Sequence, residues 1–140
     1  MTVSIKKKSL NFYRQWMKTK CFCPAIKECV EITWRGWNHI VGNKNNTKRP
    51  WNDVYRRLKL LPAAKEIIEN STTIQNIDKR KGNTFFVLEA MKMITENNIK
   101  GWRKVRVILI EDKKGKKIFL SVMDKKQKTP RKGVFKKSKR

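Results

Sequence analysis

At 140 residues with 39% hydrophobic content, the chain can bury a real core as one domain with flanking tails. Lys and Arg number 36 against 11 Asp and Glu, a formal net charge of +25 that calls for a polyanion: nucleic acid first, an anionic membrane surface second. No apolar run approaches the ~20 residues of a membrane helix, no signal-peptide core is present, and an odd set of three cysteines argues against a disulfide scaffold and for a reducing cytoplasm.

Residues 1–27 form a basic N-terminal segment with Leu10, Tyr13 and Met17 at helical spacing, which predicts a short amphipathic helix. No acid precedes Glu28, so an organellar presequence is a minor alternative. "CFCPAIKE" reads as a loop and "CVEIT" (29–33) as a strand. "WRGWNHIVG" predicts a short helix closed by Gly42, with Trp34, Trp37, Ile40 and Val41 on the packed side and Arg35 and His39 together on the other.

"RPWNDVYRRLKLL" predicts a helix started by Pro50, with Trp51, Val54, Tyr55, Leu58 and Leu61 as its buried stripe and Arg56, Arg57 and Lys59 facing outward or along the flank. Pro62 opens a second helix with Ala64, Ile67 and Ile68 inward. After Asn70 the period becomes two. "TTIQNID" and "NTFFVLEAMKMI" pair around "KRKG", and "KVRVILIED" and "KKIFLSVMD" pair around "DKKGK". Two hairpins after helices predict an α+β fold: short helices packed on a roughly four-stranded antiparallel sheet. Residues 125–140 read as a basic, disordered tail behind a domain at 28–124.

The chain has a single histidine, His39, four residues from Arg35. Attack on RNA by a ribose 2′-OH needs a proton acceptor, a proton donor and positive charge on the phosphate. Histidine can do either proton task, and an adjacent guanidinium favours its neutral form and can clamp the phosphate. A two-histidine mechanism is excluded, so the second proton group must be another residue type. An ordinary surface histidine is the plainer alternative.

Glu89 shares a strand face with Phe85, Val87 and Met91, where it is either an acid–base carboxylate or an ion-pair partner for a basic neighbour. Ser121, which strict alternation places with Phe119 and Met123, could hydrogen-bond a phosphate oxygen or simply fill space. Trp102, beside Arg103 and Lys104, is the best base-stacking candidate. Lys44, Lys48 and Arg49 in the loop "GNKNNTKR", with Arg56, Arg57, Lys59, Arg103 and Arg106, are the candidate backbone contacts. Cys21, Cys23, Cys29 and His39 lack the paired spacing of a structural zinc site, so no metal and no cofactor is expected.

The order of a strand, then "TWRGWNHIVG", then "RPWNDVYRRLKLLPAAKEIIE", then "VRVILIEDKKGKKIFLSVMD" resembles the phage-type members of the barnase–EndoU–colicin–RelE nuclease superfamily over roughly residues 28–124. The resemblance implies a small metal-independent endoribonuclease with helices on a four-stranded antiparallel sheet. It implies His39 as acid–base residue, Ser121 facing the substrate phosphate, and Arg35 as the basic position before the histidine. Asn38 departs from the second basic residue that many relatives carry there, and no second proton group carries over.

The leading expectation is therefore a toxin- or phage-like endoribonuclease acting on RNA, with tRNA and rRNA as candidate targets and an antitoxin or immunity protein as a candidate partner. The rival is a non-catalytic RNA- or ribosome-binding protein. A DNA-binding accessory protein stands third.

Overall fold

The computed structural model describes residues 4–42, 50–96 and 98–126. Helix α1 (Ile5–Met17) starts where the Ser4 hydroxyl accepts from the backbone N–H groups of Lys6 and Lys7, satisfying two otherwise orphaned donors. Its inward side buries Ser9, Tyr13 and Trp16. The stretch expected to be a loop instead forms β1 (Cys21–Cys23), antiparallel to β2 (Glu28–Val30). Cys21 and Cys23 point into the core and Phe22 points out, an alternation too short to stand out in the sequence.

Residues 4–27 thus contribute to the same core as the rest of the chain, with no packing boundary at residue 28. The segment after β2 runs beside the last strand, Glu31 forming a parallel bridge to Ile118.

Helix α2 (Trp34–Val41) is closed by left-handed Gly42, as its sequence predicts, and its start is capped by the side chain of Thr33, a residue expected to end the preceding strand. Its buried side is Gly36, Trp37 and Ile40; Trp34 is largely exposed, though its ring still meets that of Tyr13. Helices α3 (Trp51–Lys59) and α4 (Leu61–Asn70) meet at Leu60. Val54, Leu58 and Leu61 are buried, whereas Trp51 and Tyr55 lie on the shoulder of the stripe and remain exposed. There their rings contact each other, and Lys59 sits over Tyr55.

The expected four-stranded antiparallel sheet is present in the order β3 (Asn76–Arg80), β4 (Asn83–Glu96), β5 (Ile99–Glu111) and β6 (Lys117–Lys126). Lys81 and Gly82, both at positive φ, make the two-residue turn between β3 and β4. Asp112 ties the β5–β6 turn by accepting from the N–H groups of Lys114 and Lys116. The Lys116 bond, the larger of the two effects, holds its carboxyl below the usual range.

Leu88, Val105, Val107, Leu109, Phe119 and Val122 face the helices and, with Tyr13, Trp16 and Trp37, make the core. The rings of Tyr13, Trp16, Trp37 and Phe119, packed at tilted angles, are its centre. Two differences from the expected strands matter for the site. β5 begins at Ile99 rather than Lys104, so Trp102 lies on a strand. β6 extends through Lys126, so residues 125 and 126 belong to the sheet; the rest of the predicted tail lies outside the described residues.

Candidate nucleic-acid interface

Helix α3 lies against β6, and the arginines it offers there meet those of β5 around one carboxylate. Asp124, with its side chain only 6% exposed, takes Arg56 Nη2 at 2.6 Å and Arg103 Nη1 at 2.9 Å. One helical position on, Arg57 Nη1 donates to the Ser121 hydroxyl at 2.6 Å and its Nε pairs with Asp53 at 3.2 Å. On the neighbouring rung Arg106 pairs with Glu89, donating from Nε at 2.7 Å. A pocket of about 100 Å³ is lined by Glu89, Lys104, Arg106, Met123, Asp124 and Lys125. On the helix side of the sheet Arg56, Arg57 and Arg103 thus meet two carboxylates, Asp53 and Asp124, while Lys104, Arg106 and Lys125 gather with Glu89 on the opposite face, six cations against three carboxylates in all. A guanidinium has five N–H donors, so an arginine holding a carboxylate keeps donors for a phosphate.

Several predicted site residues are brought together, with altered roles. Arg56, Arg57 and Arg103 meet on the helix side, while Arg106 pairs with Glu89 on the opposite face; Arg57, expected outward or along the flank, is drawn in to Ser121. Ser121 itself is 1% exposed beneath that guanidinium. A β-bulge between Ile108 and Leu109 explains its placement: Phe119 pairs with Leu109 and Ser121 with Ile108. The extra residue in β6 breaks the strict alternation that would relate Phe119 to Ser121, and the Ser121 hydroxyl meets Arg57 of α3.

Arg35 is exposed and His39 half-buried on α2, the helix that packs along β6. Lys59 sits over Tyr55, away from Asp124's partners. Trp102 is 54% exposed on β5. Lys44, Lys48 and Arg49 lie outside the described residues.

Glu89 takes the ion-pair alternative, with Arg106 as its partner. The residue missed by sequence reasoning is Asp124. Its only signal is an acid at the end of the strand "FLSVMD", immediately before a run of basic residues.

The cysteines do not form a cluster with His39. Burial pushes the thiols of Cys21 and Cys23 up, although the Trp16 indole N–H, 3.4 Å from Cys21 Sγ, works against that rise. Cys29 is exposed. Among the described residues no three His, Cys, Asp or Glu side chains converge on a metal position, and no helix is long and apolar enough to cross a membrane.

The family model described as large polyvalent protein-associated domain 3 matches residues 2–119. No curated protein and no solved structure matches the chain.

Proposed function

The chain belongs to the large polyvalent protein-associated domain 3 family, and for this member we propose a function in binding RNA. The observation that carries the reading is the excess of cations over carboxylates on β5, β6 and α3, six against three across the two faces of the sheet, in a chain whose net charge is +25. Arginine suits this task because its planar fork meets phosphate oxygens in pairs. Arg56, Arg57, Arg103 and Arg106 would guide the RNA backbone, and the protein would work in the cytoplasm, where its three thiols stay reduced.

A titration of RNA across a salt series tests this. If the six cations all engage phosphates, log K falls against log salt with a slope of about −4, from roughly −0.7 per contact on a single strand. Binding that is flat in salt sinks the proposal.

One observation favours a second reading, an endoribonuclease: α2 carries Arg35 and His39 along β6, the strand beside the arginine network. In this reading His39 moves the proton and Arg35 steadies the phosphate. The Arg57–Ser121 pair would meet the phosphate through Arg57, since the hydroxyl is already engaged. The architecture implied by the resemblance to the barnase–EndoU–colicin–RelE superfamily, helices on a four-stranded antiparallel sheet, is compatible with it. The test is incubation with single-stranded RNA in EDTA beside His39→Ala. Cleavage to 2′,3′-cyclic phosphate ends, lost in the variant, supports an enzyme; intact RNA in both samples leaves the binding protein alone.

A further inference from the structure

The sheet face turned away from the core carries an ordered series of side chains. Along β5, Trp102, Lys104 and Arg106 alternate with Arg103, Val105 and Val107 of the core side. On β4, Met93 stands opposite Trp102, Met91 opposite Lys104 and Glu89 opposite Arg106. On β6, Lys125 stands opposite Lys104 and Met123 opposite Arg106. Trp102 (54%) and Met93 (47%) are both strongly exposed, and Met91 beside them is exposed too.

These rungs lie toward the free end of the sheet. Among the described residues the pairing of β3 with β4 ends at Val87, and that of β6 with β5 at Arg103. Met93 and Trp102 therefore pair with each other on the β4–β5 ribbon, beyond the last described rungs of β3 and β6. A large aromatic left half in water gives folding little. Its cross-strand methionine extends it into a broader apolar surface with cations one rung away.

We propose that this face binds single-stranded RNA, with unpaired bases stacking on the Trp102–Met93 platform and the phosphates meeting Lys104, Lys125 and Arg106. The proposal rests on the RNA reading above and adds to it the strandedness of the ligand and the site that reads it. Same-face side chains on a strand repeat every ~7 Å, a step that an extended nucleotide can follow. Stacking needs a free base face, which a duplex does not offer. The sign of the surface also chooses the occupant: a net charge of +25 opposes a second copy of the chain and favours a polyanion.

The experiment compares the full chain with Trp102→Ala and Trp102→Phe, using a labelled oligouridine and an RNA duplex at one salt concentration. Stacking predicts that Trp102→Ala weakens oligouridine binding by about 5- to 100-fold and changes duplex binding by less than about two-fold, with Trp102→Phe recovering most of the loss. Unchanged oligouridine binding by Trp102→Ala, beside a wild type that binds it, overturns the platform and leaves the RNA reading standing. So does sedimentation showing a wild-type dimer that Trp102→Ala abolishes, because the face is then an interface between copies. A wild type that binds neither RNA overturns the RNA reading, and the platform with it.

Discussion

Gly36 stands inside α2, a position where alanine is ordinarily the better residue. Here a Cβ would lie 2.6 Å from the Phe119 carbonyl oxygen and 2.6 Å from the Tyr13 hydroxyl. The first is backbone of a paired strand and cannot swing aside. We expect Gly36→Ala to destabilise the fold by about 1–3 kcal/mol, the usual cost of overpacking, read as a lower Tm; an unchanged or higher Tm would mean that α2 can slide on β6. The neighbouring Tyr13 has a related task. Its hydroxyl donates to the Thr33 carbonyl oxygen at the start of α2. Burial pushes its pKa well above the ordinary value of 10.0, while the backbone N–H of Trp37 pulls in the other direction. A pKa raised by folding means that the native state holds the proton more tightly than the unfolded chain. Its stabilising contribution is therefore whole below about pH 10 and is lost as the pH rises above that value. Alkaline titration should show the Tyr13 phenolate appearing together with loss of the folded signal. Tyr13→Phe should cost about 1–3 kcal/mol at neutral pH, leaving the Thr33 carbonyl without its phenol donor, and should flatten stability above pH 10.

Among the elements, the β5–β6 pair with α3 across it is where charge and packing oppose each other. Asp124 holds Arg56 and Arg103 in place, and also cancels charge that an RNA phosphate could use. Asp124→Asn should lower stability by about 1–3 kcal/mol, less than the about 3–5 of a wholly buried pair because Arg56 is half in solvent. It should also tighten RNA binding measured well below the Tm. A variant that binds RNA more weakly while folded would show that the carboxylate orders the arginines for the ligand. Much of this frame was legible in the sequence. Gly42 marks the end of α2, Lys81–Gly82 and Gly115 mark tight turns, and alternation from "TTIQNID" onward marks the sheet. The exchange of partners within it was not legible. One extra residue in β6 breaks the alternation that would relate Phe119 to Ser121, and a bulge leaves no trace in a string of Phe, Leu, Ser and Val. Asp124 was hidden for another reason: its partners lie 21 and 68 residues away, and no periodicity relates them. Trp102 was picked out as a stacking candidate from its basic neighbours, but its ribbon depends on Asn98 at positive φ just before β5, which no apolar pattern announces.

At the scale of the whole molecule, the first helix and the last strand finish the same core. The rings of Trp16 and Phe119 lie 5.0 Å apart, with Tyr13 beside both. A chain beginning at residue 21 should therefore lose the fold altogether: far-UV circular dichroism would show depleted structure and the cooperative melt would vanish. A truncated chain that still melts cooperatively would make α1 a mere addition. The same contact sets a timetable. During synthesis α1 emerges before the rest of the domain, yet its two buried aromatics have no complete partner until Phe119 has left the ribosome, roughly a hundred residues later. The strands pair with their neighbours in sequence, so the late step is the closing of α1 onto β6 across most of the domain. For that interval Tyr13 and Trp16 are an apolar surface flanked by lysines. The net charge of +25 keeps neighbouring nascent chains apart while the core waits for its last strand.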